Sequence, residues 1–181
     1  MNVHKLAKTV FALTLTAALV SCGGTDNKPS TSADSERSTK DQQKPVVYQV
    51  FTRLFGNTNT TNTPWGTLQE NGVGKFADFD DKALAGIKEL GVSHIWYTGV
   101  LHHATVTDYS EFGLPGDDPD VVKGRAGSPY AVKDYYNVNP DLAVNPERRL
   151  QEFEALIKRT HEQDMKVIID IVPNHVARDY H

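Results

Sequence analysis

The chain has 181 residues, 39% hydrophobic, 23% charged and 9% aromatic, which excludes a collagen-like, wholly disordered or multi-span membrane protein. Lys and Arg total 19 against 23 Asp and Glu, a formal charge of −4 with no basic block, which argues against nucleic acid as a partner. One cysteine, Cys22, excludes an intramolecular disulfide and a zinc site built from several thiolates.

Residues 1–21 read as an export signal: Lys5 and Lys8 without an acid, an apolar or small run from Thr9 to Val20, then small residues before a cut site. The run is too short to span a bilayer, which needs about 20 residues. Leu19-Val20-Ser21-Cys22 resembles the bacterial lipobox, whose cysteine is acylated; the alternative is an ordinary signal with a chance cysteine. Each buried methylene of an acyl chain contributes roughly 0.8 kcal/mol, so two or three chains make a stable anchor. Loss of the signal removes two lysines and no acid, leaving a charge of −6, so lipid rather than a protein patch would hold the membrane. Gly23–Lys44 has no Leu, Ile, Val or aromatic residue and cannot fold on its own. It reads as a disordered tether with an r.m.s. reach of about 25 Å. The expectation is an anchored protein of the bacterial cell envelope, on the outer membrane or the cell surface.

From residue 45 the chain alternates strand and helix. Val46–Phe51 is a β-rich run. Asp80–Leu90 reads as a helix, with an Asp at its start, Leu84, Ile87 and Leu90 on one face, and Gly91 after it. Val92–Tyr97 is a second strand. Asn145, Pro146 and Glu147 suit the cap and first turn of another helix, with Leu150, Phe153, Leu156 and Ile157 on one face to about His161. Val167–Val172 is a third strand, closed by Pro173. Near-continuous apolar strands alternating with helices predict a parallel sheet built from βαβ units. Between the second strand and second helix, about Gly99–Asn145 reads as one long loop, and such loops are usually functional. It holds the adjacent His102 and His103, read as solvated loop residues rather than a metal pair.

Asp170 is discordant within Val-Ile-Ile-Asp-Ile-Val, because a buried carboxylate needs a partner. It is either tied to a neighbouring Arg or backbone N–H groups, or it orders a site, and both can hold. Asn174 offers a carbonyl oxygen suited to a hard cation such as calcium. His175 offers a ring N–H to a hydroxyl.

Asp170-Ile171-Val172-Pro173-Asn174-His175 resembles the first signature of glycoside hydrolase family 13, the α-amylase family. Val47–Phe51, Lys88–Tyr97 and Ser128–Tyr136 resemble other segments of that family in the same order, although Ser128-Pro129 stands where a glycine often precedes the tyrosine. The resemblance implies an α/β fold: the N-terminal portion of a (β/α)8 TIM barrel, about three strands and two helices, incomplete in this chain, over residues 45–181. It also implies roles. Tyr130 would stack on the sugar at the cleaved bond, and His175 would hydrogen-bond that sugar. Asp170 would orient site residues, Asp134 would hold its loop, and Asn174 would bind calcium where calcium is used. Tyr135 and Tyr136 are expected to pack.

Retaining glycoside hydrolysis needs two carboxyl groups about 5–5.5 Å apart. The resembled family carries them on its fourth and fifth strands, beyond anything matched up to His181. The implied parent is a retaining α-glucan hydrolase acting on α-1,4 bonds of starch or maltooligosaccharides. The chain alone is expected to be inactive and poorly soluble, with an open β edge. The alternatives are a non-catalytic glycan-binding lipoprotein and another α/β barrel with a strand-end histidine, such as a metal-dependent hydrolase.

Overall fold

The computed structural model describes residues 44–180. The expected signal (1–21), Cys22 and the tether as far as Gln43 lie outside the described residues.

Three strands form a parallel sheet in the order β1 (Val47–Phe51), β2 (His94–Thr98), β5 (Lys166–Ile169). Val50 lies opposite Tyr97, and Tyr97 opposite Ile169. Within the described residues β5 pairs only with β2. The apolar sequence continues to Val172, but the ladder stops at Ile169, so the third strand is shorter than its composition suggests. Asp170 therefore sits just past the strand end and is half-buried, not enclosed within the strand. Ile171, next along, is exposed.

The helices follow their capping chemistry. After β1 a short helix α1 (Leu68–Asn71) opens with a capping box: Glu70 N donates to Thr67 Oγ1 (3.2 Å) and Thr67 N to Glu70 Oε2 (2.7 Å). Helix α2 (Asp81–Glu89) is capped by Asp80, whose Oδ1 accepts from Ala83 N at 2.8 Å. Leu84 and Ile87 are buried, but Leu90 is exposed because the helix ends one residue before it. Asn145 caps as expected, accepting from Glu147 N at 3.0 Å, yet the turn it starts is a 3-10 turn, Pro146–Arg148. Helix α3 (Arg149–Glu162) follows. Its inner face is Phe153, Leu156 and Thr160, with Leu150 left exposed. Among the described residues no helix is long and apolar enough to cross a membrane.

These helices cover an aromatic core. Phe79 stacks on Phe55 at 4.1 Å and meets Tyr97 edge-on at 5.0 Å, and Phe76 lies 5.3 Å from Phe153. Thr160 donates its hydroxyl proton to Leu156 O (2.9 Å) and so accepts from the Tyr97 hydroxyl at 2.7 Å. Burial pushes the Tyr97 phenol up to about 12, so it stays a donor at any pH the fold meets.

The long segment after β2 is not a plain loop. It forms a second, antiparallel sheet of β3 (Leu101–His103) and β4 (Val132–Val138), with irregular register. Gly99 makes the turn into β3 at φ +78°, where a Cβ would come within 2.7 Å of the Phe51 ring. Polar residues of this sheet are buried by pairing. Lys133 Nζ meets Asp117 Oδ1 at 2.8 Å with both side chains nearly inaccessible, and Asp117 Oδ2 accepts from Thr105 N at 2.9 Å.

His102 and His103 are thus buried, contrary to the solvated reading. The carbonyls of Leu101 and Ala126 face the two ring nitrogens of His103 at 3.0 Å each. His102 lies opposite Asp134, and its Nδ1 has no hydrogen-bond partner. Burial, with the nearby Lys133 charge, holds His102 down to about 4 against an ordinary 6.5. Between those values the unfolded chain binds more protons than the fold. Stability is then intact above about pH 6.5 and falls as pH drops toward 4, by up to about 1.4 kcal/mol per unit. Urea titrations of the complete gene product at pH 7 and pH 5 should show this loss, and His102→Leu should shrink it. An unchanged pH slope in the variant would assign the effect elsewhere.

Candidate functional site

The loops that follow β1, β2 and β5 all leave the same end of a parallel sheet, the C-terminal end where α/β barrels build their sites. Tyr130 lies in the turn that enters β4 and is 37% exposed. Partial burial, then the negative charge of nearby Asp170, raise the phenol above its ordinary value. Tyr130 therefore keeps its proton and presents a partly open ring. Such an aromatic face suits the C–H face of a pyranose.

The segment after β5 is fastened beside β4. Ala177 N donates to Val132 O at 2.8 Å, and the Tyr135 hydroxyl donates to Val172 O at 2.6 Å. The Tyr135 and Tyr180 rings lie 5.8 Å apart. His175 lies between these two tie points, and Tyr130 precedes the strand they fasten to. His175 is exposed, and its Nδ1 lies 3.3 Å from Asn174 Nδ2. Tyr135 packs as expected. Tyr136 does not; it is 91% exposed, on the outer face of β4.

Asp134 is half-buried on β4, and its Oδ1 accepts from Tyr136 N at 2.8 Å. Its charge bears on Arg149 and His102. Asn174 has its amide nitrogen turned to His175 and contributes one carbonyl oxygen. Calcium takes six to eight oxygens. No group of three or more His, Cys, Asp or Glu able to hold a metal occurs among the described residues.

Two features escaped the sequence. One is a buried polar hub at Asp141, which accepts from Arg53 Nη1 (2.6 Å) and from the Tyr109 hydroxyl (2.9 Å). The other is Trp65, exposed beside a groove of about 260 Å3 at the end of β1. A lone Trp within Thr-Pro-Trp-Gly was the available signal for the second.

A parallel sheet with aromatic and acidic side chains gathered at its strand ends is the layout of a (β/α)8-barrel enzyme. The family described as Alpha amylase, catalytic domain matches residues 49–181, and the chain belongs to that family. It is 27% identical over 138 residues to the trehalose-6-phosphate hydrolase of Bacillus subtilis (strain 168), covering 76% of this chain and 18% of that protein. It is 27% identical over 181 residues to a cyclomaltodextrin glucanotransferase of Bacillus sp. (strain 17-1), covering 93% of this chain and 23% of that protein. Among solved structures, a noncanonic maltogenic alpha-amylase from Thermotoga neapolitana is similar at 26% identity with a TM-score of 0.49, over 75% of this chain and 25% of that one. The chain thus spans about a fifth of the length of these curated relatives.

Proposed function

We propose that the protein containing this chain cleaves α-1,4-glucosidic bonds of starch or maltooligosaccharides with retention of configuration, and that this chain supplies part of its sugar-binding wall. Tyr130 stacks on the sugar at the cleaved bond. Asp170, at the mouth of β5, orients site residues. His175 donates a ring N–H to a hydroxyl of the same sugar. Asp134 holds the sheet from which Tyr130 projects. The nucleophile and the acid/base come from outside the described residues. A calcium ion at Asn174 belongs to this proposal only with further oxygen ligands from outside them.

The observation that supports the reading best is the fastening of the 172–177 segment, which carries His175, to the strand that the partly exposed Tyr130 enters, at the C-terminal end of the sheet. Family membership supplies the reaction class. We further propose that Cys22 is acylated after removal of residues 1–21 and that the tether holds the barrel off a bacterial envelope membrane.

Proton NMR of the complete gene product acting on maltoheptaose tests the chemistry. Retention predicts that the first reducing ends appear as the α-anomer and only later equilibrate. First appearance of the β-anomer would overturn the retaining assignment. Binding of maltoheptaose without any cleavage would favour the non-catalytic glycan-binding lipoprotein.

A further inference from the structure

Trp65 is 52% exposed, on backbone at φ +60°, where a bulky side chain is an outlier. Such strain persists only where surrounding contacts over-determine it. Here they do. The Asn71 side-chain amide takes both Thr63 N (2.7 Å) and Thr63 O (2.9 Å), and Gly66 N donates back to Thr63 O at 2.9 Å. Asn57 and Asn59 donate their amides to the carbonyls of Asn71 (3.1 Å) and Glu70 (2.8 Å). This framework holds the indole against a groove of about 260 Å3.

Lys123–Ala126, Arg125 among them, line the groove together with Asn57, Asn62 and Asn71. A flat apolar ring beside such polar residues offers a pyranose both of its needs. The ring takes the C–H face, and the polar groups take the hydroxyls. Tyr130, Asp170 and His175 do not line this groove, yet Arg53 and Leu54, just past β1, do. The groove therefore lies at the C-terminal end of β1, the end of the sheet from which the segment with Asp170 and His175 also leaves.

We propose that this groove is an accessory α-glucan subsite, with Trp65 as its platform, which holds sugar units away from the bond being cleaved. This rests on the α-glucan reading above. The test is affinity electrophoresis of the complete gene product through amylopectin, beside its hydrolysis of maltoheptaose. Trp65→Ala should weaken retardation about 10-fold, and Trp65→Phe should recover most of it. Trp65→Gly should bind as weakly as the alanine variant but melt at the same temperature or higher, because glycine suits φ +60°. Wild-type migration of Trp65→Ala, with wild-type hydrolysis intact, would overturn the subsite alone. A lower melting temperature in Trp65→Gly would overturn it too, by making the indole a packing group. An unretarded wild type that also leaves maltoheptaose intact would overturn the α-glucan reading and the subsite with it.

Discussion

Replacing Asp141 with alanine is expected to cost about 3–5 kcal/mol of folding stability. The carboxylate is fully buried and meets two donors at once, the guanidinium of Arg53 at 2.6 Å and the hydroxyl of Tyr109 at 2.9 Å. Its own backbone is held as well. Asp141 N donates to Asn139 Oδ1 at 3.0 Å, and Lys75 Nζ donates to the carbonyls of Asp141 (2.6 Å) and Ala143 (3.0 Å). Burial lowers the Lys75 ammonium, and the charge of Asp141 counters that.

Removing the carboxylate would strand Arg53, whose side chain is only 17% exposed, and leave the Tyr109 hydroxyl facing nothing. The penalty comes chiefly from those orphaned donors rather than from the worth of the pair. A double variant, Arg53→Ala with Asp141→Ala, should therefore lose less than the two single losses added together. Tyr109→Phe should cost about 1.5–3 kcal/mol, since it removes one donor to the charged carboxylate but leaves the ion pair intact. Urea unfolding of the complete gene product, read by fluorescence, measures all four. A loss below about 1 kcal/mol for Asp141→Ala would mean that the hub carries no weight.

The hub also explains what the sequence could and could not disclose. Asp80, Asn145 and the spacing of Leu84, Ile87, Phe153 and Leu156 are local signals, and the structure follows them. Leu90 and Leu150 carried the same apolar spacing but fall outside the covered turns, and spacing alone does not say where coverage ends. Nothing in Asn139-Pro140-Asp141 announces that Arg53, 88 positions away, will neutralise it. The β3–β4 sheet was hidden for the same reason. Its strands carry His102, His103, Lys133 and Asp134, which read as a solvated loop until Asp117 and the pairing strand are in place. Of the candidate site, Tyr130, Asp170 and His175 were found by family resemblance and not by periodicity. The structure added the stitch that fastens the segment with the third to β4. It also moved Asp170 from inside a strand to its mouth, where a carboxylate can reach a neighbouring loop.

The second large effect concerns that site. On the proposed roles, Tyr130→Ala and His175→Ala should each lower kcat/KM for maltoheptaose on the order of 10²-fold, through lost positioning of the sugar at the reacting bond. Tyr130→Phe should keep most of the stacking but lose the hydroxyl. It should therefore fall between wild type and alanine.

The central proposal is that Tyr130 and His175 act on one sugar. The direct measurement is a double-mutant cycle on kcat/KM for maltoheptaose in the complete gene product, using Tyr130→Ala, His175→Ala and the pair. Two groups on one pyranose should couple by about 0.5 kcal/mol or more, the second deletion costing less once the first has released the ring. Losses that add in full, or a variant with unimpaired turnover, would place the two side chains on separate tasks and contradict the shared site.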